Sequence, residues 1–252
     1  MAEQPVTTDL PGLEAPLAEA PVTSNAGSIP HYWQALWALT LKDLTAEWRN
    51  RQLVTAMLVF ALLVILIFNF ALELDANART NVAAGVLWVT FIFAATLGLN
   101  RAFAPEVDRG SLDGLLLAPV DRSALFFAKL ISTLVFIFAV EIIVVPVFIV
   151  LYNLPLFNGM FILVVVLGTL GYVSVGTLLA ALSVRIRARE VMLPVLLFPI
   201  TVPVILASVK ASTEILAGSE WGKYSAAFGL IVAYDIVFIA LAIMLFDYLV
   251  ED

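Results

Sequence analysis

Apolar residues in this chain gather into six long runs, and most polar residues lie between them or ahead of them. A helix needs roughly 20 apolar residues to cross the hydrocarbon of a bilayer. Segments 53–72, 82–99, about 130–151, 159–182, 191–209 and 226–250 reach or approach that length. The pattern predicts an all-α membrane protein with six transmembrane helices. Its connections are short, apart from the loop between spans two and three and the stretch 210–225.

Ahead of the first span the period changes. Trp33, Leu36, Trp37, Thr40, Leu41, Leu44 and Trp48 recur at helical spacing, while Gln34, Lys42, Asp43, Glu47 and Arg49 fill much of the rest. This predicts an N-terminal helix lying in the headgroup region with its indoles at the interface. Packing of the same helix on protein is the alternative. Residues 1–29, rich in Pro, Ala, Glu and Thr, cannot bury enough apolar surface to fold and are expected to form a disordered tail. They have neither the basic start nor the apolar centre of a signal peptide. The domain organisation expected is a tail over 1–29 and a six-helix permease domain over 30–252.

Composition agrees with the pattern. The 252 residues are 62% hydrophobic and 13% charged, with a mean hydropathy of +1.04, outside the range of soluble domains. The net charge of −7 says little about partners, because Glu3, Asp9, Glu14 and Glu19 lie in the tail, and no nucleic-acid partner is expected. The absence of cysteine excludes disulfides, thiolate metal sites and cysteine nucleophiles. A single histidine, His31, excludes a polyhistidine metal or haem site within the chain.

Charge also predicts orientation. With both termini on one side, that side receives Lys42, Arg49, Arg51, Arg101, Arg109, Arg122, Lys129, Arg185, Arg187 and Arg189, ten of the 13 basic residues. Arg79, Lys210 and Lys223 fall on the other. The positive-inside rule then places both termini, and the long loop, in the cytoplasm. The compartment expected is the bacterial inner membrane.

Within the spans, four features stand out. Gly168, Gly171, Ser174, Thr177 and Ala181 form a stripe of small residues on span four, suited to close helix packing inside the subunit or at a dimer contact. Pro194, Pro199 and Pro203 in span five, and Pro146 in span three, predict bends or breaks, either static or hinge-like. Glu141 and Asp235 lie deep in spans three and six with no basic residue at similar depth. Each should be neutral, face a polar cavity or share a proton, either on a substrate path or relay or in a cross-helix hydrogen bond. Tyr32, Trp33, Trp88, Trp221, Tyr224 and Tyr248 are read as interfacial anchors.

The loop over 100–129 is the longest polar-rich interruption, with four basic and four acidic side chains. Pro105, Glu106 and Asp108 suit the first turn of a short helix that Gly110 ends. Ser111 then caps a second helix over 112–117, with Leu112, Leu115 and Leu116 on one face and Pro119 at its stop. The result is an amphipathic elbow, either a partner-binding device or a tether lying on lipid.

The run Glu106-Val-Asp-Arg-Gly-Ser-Leu-Asp-Gly-Leu-Leu-Leu-Ala-Pro, closed by Ala128-Lys129, resembles the signature of ABC-2-type permeases, the membrane subunits of ABC transporters. Together with Arg49-Asn-Arg before span one and Phe198-Pro-Ile-Thr-Val-Pro-Val-Ile-Leu-Ala in span five, it is similar more closely to the CcmB family of cytochrome c maturation permeases. The resemblance extends over about residues 35–248. It implies a transport subunit and not an enzyme. The chain has no Gly-x-x-x-x-Gly-Lys-Ser/Thr, so ATP would be hydrolysed in trans by a CcmA-like ABC ATPase. CcmC- and CcmD-like membrane proteins, a CcmE-like haem chaperone and a second copy of the permease complete the implied partners. The chain itself would bind no cofactor, haem being handled by the complex. Pro105, Glu106, Arg109, Gly110, Leu112, Asp113, Leu115 and Leu116 are the residues expected to couple to the ATPase. Three other readings compete: an ABC-2 exporter of a lipid, glycan, drug or peptide, an assembly scaffold that carries nothing, and an intramembrane enzyme using Glu141 and Asp235. The last lacks an intramembrane Cys or His, which leaves a serine or paired-acid protease.

Overall fold

The computed structural model describes residues 32–71, 76–104, 110, 122–154, 158–183 and 189–249. These form seven helices: α1 (Tyr32–Asn50), α2 (Gln52–Ala71), α3 (Ala76–Arg101), α4 (Arg122–Tyr152), α5 (Gly159–Ser183), α6 (Arg189–Leu216) and α7 (Trp221–Leu249). Six of them, α2 to α7, are long and apolar enough to span a membrane. The chain is an all-α, multi-pass membrane protein. The tail over 1–29 lies outside the described residues.

Local chemistry fixes the helix ends. Arg51 separates α1 from α2 with φ of 51°, a left-handed turn between two helices. The Glu47 carboxylate then accepts from the backbone N–H groups of Leu53 and Val54 at 2.8 and 3.1 Å, capping the exposed donors of α2. Asn153, at φ of 50°, closes α4, where the Leu154 N–H donates back to the Ile149 carbonyl at 3.1 Å. Asn158 caps α5 by accepting from the Met160 N–H at 2.9 Å. Gly218, at φ of 71°, ends α6 in the same way as Asn153, with the Ser219 N–H donating to Glu214 at 2.9 Å. The stretch 210–225, expected as a long connection, is therefore mostly helix. Only residues 217–220 join α6 to α7.

The bundle is arranged around α5, which packs against α3, α4, α6 and α7. Its small residues allow this. A Cβ at Gly168 would overlap the Trp88 indole and the Ser208 hydroxyl, one at Gly176 would overlap Leu99, and one at Gly171 would meet Asp235 and Tyr234. The small-residue stripe thus forms a seam inside the subunit. Gly176, outside the expected stripe, contributes equally.

None of the four prolines breaks its helix: Pro146 lies inside α4, and Pro194, Pro199 and Pro203 lie inside α6. Pro146, Pro199 and Pro203 sit on exposed faces, so the lost hydrogen bonds fall on the outer side of the bundle. Three residues before Pro203, the Ile200 carbonyl accepts from the Tyr234 hydroxyl of α7 at 3.1 Å, a hydrogen bond that ties α6 to α7 beside the proline.

Candidate functional site

Two regions hold chemistry: the roots of the long loop, and a polar belt through the membrane interior.

At the roots, Phe103, two residues past the end of α3, is buried, and α4 re-enters the bundle through Lys129, which is only 3% exposed. The Lys129 ammonium lies 5.4 Å from the centre of the Phe103 ring and donates to Asp43 Oδ2 of α1 at 2.8 Å. Ser132 Oγ, one turn further along α4, stands 3.5 Å from the same oxygen. A buried ammonium is costly unless it is paired, and here a carboxylate and an aromatic face both meet it. Residues on both sides of the loop are thereby tied to each other and to α1. Sequence reasoning placed Asp43 on the polar side of α1 and assigned it no partner. Its mate lies 86 positions away, and only the three-dimensional packing of α1 on α4 brings them together.

Helix α1 packs one side on protein, chiefly on α4. Ala35, Leu36 and Thr40 are buried, whereas Trp33, Trp37, Leu41 and Trp48 are exposed. Leu36 and Thr40, read as part of the indole face, belong to the packed side.

Of the residues expected to couple to an ATPase, Pro105, Glu106, Arg109, Leu112, Asp113, Leu115 and Leu116 lie outside the described residues. Gly110 is exposed with φ of 63°, the left-handed backbone that glycine adopts without strain and that suits the end of a helix.

In the interior, Glu141 of α4 is buried and its Oε1 accepts from Thr169 Oγ1 of α5 at 2.6 Å. Asp235 of α7 is also buried, and neither of its oxygens has a hydrogen-bond partner. It lies against Gly171, where the missing side chain leaves room for the carboxyl. Thr169 and Gly171 are two residues apart, about 200° around a helix, so the acids flank α5 on roughly opposite sides. The structure does not bring Glu141 and Asp235 into one hydrogen-bonded pair, the arrangement that a paired-acid protease would need.

Other polar groups complete the belt. Tyr172 and Thr96 share a hydrogen bond of 2.8 Å between α5 and α3. Trp88 Nε1 donates to Ser212 Oγ at 3.0 Å. A cavity of about 10 Å³, bounded by Trp88, Glu141, Gly168, Thr169 and Tyr172 among others, has room for roughly one water. Trp88, expected as an interfacial anchor, is instead 2% exposed and part of the core. The expectation failed because an indole close to a span's start satisfies the interfacial pattern equally well. The signal that would have corrected it is Gly168, a gap large enough to receive the ring. What the belt does chemically is link helices: every hydrogen bond named here, except the unmet capacity of Asp235, joins two spans.

A family model described as CcmB protein matches residues 34–250. The chain is similar to heme exporter protein B of Rhodobacter capsulatus, with 31% identity over 150 residues that make up 59% of this chain and 69% of that protein. It is 26% identical over 204 residues to heme exporter protein B of Bradyrhizobium diazoefficiens, covering 81% and 91% of the two chains. The protein of the same name from Paracoccus denitrificans is 27% identical over 184 residues, covering 73% and 84%.

Proposed function

The chain belongs to the CcmB family, and from that premise we propose that it is the permease subunit of a haem-exporter-type ABC transporter serving cytochrome c maturation. The observation that carries this reading is the match of the family model across all six spans and the loop between α3 and α4. ATP chemistry comes from a separate, CcmA-like ATPase, since the sequence has no phosphate-cradling loop. CcmC- and CcmD-like membrane proteins and a CcmE-like chaperone are the other partners, with the permease present as a homodimer. The positive-inside bias sets both termini and the loop on the cytoplasmic side of the inner membrane.

The loop is where the ATPase acts. Its amphipathic elbow, residues 105–117, docks through Leu112, Leu115 and Leu116 in an apolar groove, with Glu106, Arg109 and Asp113 at the polar rim. Pro105 opens the elbow and Gly110 breaks it. Because Phe103 and Lys129 meet at 5.4 Å, a push on the loop acts on α3 and α4 as a unit, and Asp43 carries it to α1. The prolines of α4 and α6 are places where those helices can flex. Haem is handled by the complex as a whole.

Deleting the gene and staining for covalently bound haem tests this function. Loss of c-type cytochromes, restored by the cloned gene, is the expected result. Normal c-type cytochromes in the deletion strain would overturn it and favour an ABC-2 exporter of another cargo.

A further inference from the structure

The turn between α1 and α2 opens onto a shallow, open groove along the outer face of α2. Arg51, Gln52 and Thr55 line its polar end, and Val59, Phe60 and Leu63 line its apolar end. From position 51 to 63 a helix advances about 18 Å, comparable with the roughly 15 Å depth of one leaflet's hydrocarbon. The groove is thus polar at the headgroup level and apolar below it, over the depth of a single lipid.

Its polar end is positively charged. The left-handed turn at Arg51 sets that residue at the groove mouth, where it is exposed. The guanidinium lies 5.4 Å from the centre of the Trp48 ring, and Nε donates to the Trp48 carbonyl at 3.4 Å. Those contacts orient the fork and leave the terminal N–H groups available. Among the described residues, no carboxylate pairs with Arg51. The nearest acid in sequence, Glu47, is engaged in capping α2. Arg49 adds a second exposed cation beside it.

We propose that this groove binds one anionic phospholipid, its phosphate on Arg51 and an acyl chain along Val59, Phe60 and Leu63. The proposal is independent of the transport reading and needs only that α2 spans the bilayer. Guanidinium is the cation best matched to a phosphate, presenting two parallel N–H donors.

The test is native mass spectrometry of the full-length chain after exchange into equimolar phosphatidylglycerol and phosphatidylcholine. Preferential retention of phosphatidylglycerol is expected. Arg51→Gln should lower the ratio of the two retained lipids about fivefold, the effect of one surface cation on an anionic lipid. Leu63→Trp, which fills the apolar end, should lower retention of both lipids while leaving the ratio unchanged. Inorganic phosphate should displace neither. An unchanged ratio in Arg51→Gln, or displacement by phosphate, would overturn the proposal. So would disulfide cross-linking between two Val59→Cys chains, which the absence of native cysteine makes unambiguous, because a second copy would then occupy the groove.

Discussion

Helices α2 and α5 are both apolar spans, yet they occupy opposite environments. Over an 18-residue stretch of each, 72% of α5 is buried and only 17% of α2. The more apolar of the two is the exposed one. In water that order would be reversed. In a bilayer the surrounding lipid is as apolar as leucine, so hydrophobicity gives a helix no reason to go inside, and close packing and hydrogen bonds decide. Helix α5 has Gly168, Gly171 and Gly176 where neighbours press against its backbone, and Thr169 and Tyr172 where they offer hydrogen bonds. Helix α2 presents Val59, Leu63, Ile67 and Phe70 to the outside.

The contrast is broken most severely by adding volume to the central helix. Gly168→Leu should abolish a monodisperse folded peak on size exclusion, because even its Cβ overlaps the Trp88 ring. Val59→Leu on α2 should leave the elution profile unchanged. Equal behaviour of the two variants would remove the distinction between the helices. Next in size is Lys129→Ala, which leaves Asp43 with its 3.5 Å contacts to Lys42 and Ser132. It should destabilise the protein by about 2 kcal/mol, read as a fall in thermal midpoint in detergent. The double variant with Asp43→Asn should recover part of that loss, and additive effects would show that the pair is not coupled. Thr169→Val removes the hydroxyl that Glu141 accepts from and should cost about 1 kcal/mol by the same measurement. Smallest of all, Ile67→Val on the exposed face of α2 should fall within about 0.5 kcal/mol of the parent.

The six spans were legible because a run of apolar residues is a local signal, and so was the close packing at Gly168 and Gly171 on α5, though not that at Gly176. The partners of the polar groups were not. Nothing near Asp43 in sequence points to Lys129, and nothing near Glu141 points to Thr169. Each pair depends on which helices become neighbours, which the apolar runs leave open. Trp88 was misread for a related reason, since an interfacial anchor and a ring filling a glycine gap differ only in what lies opposite. The prolines of α6 suggested a bend or a break. No break occurs: the helix continues through all three, and Tyr234 donates to the Ile200 carbonyl three residues before Pro203.

The interior around α5 is built to hold its shape, and in the proposed function force enters at the loop whose flanks meet at Phe103 and Lys129. The most direct test is co-purification of the ATPase subunit with the chain carrying Leu112→Asp and Leu116→Asp together. The expected variant inserts and folds normally but no longer brings down the ATPase. A variant that retains the ATPase at the parent's stoichiometry would contradict the proposed docking.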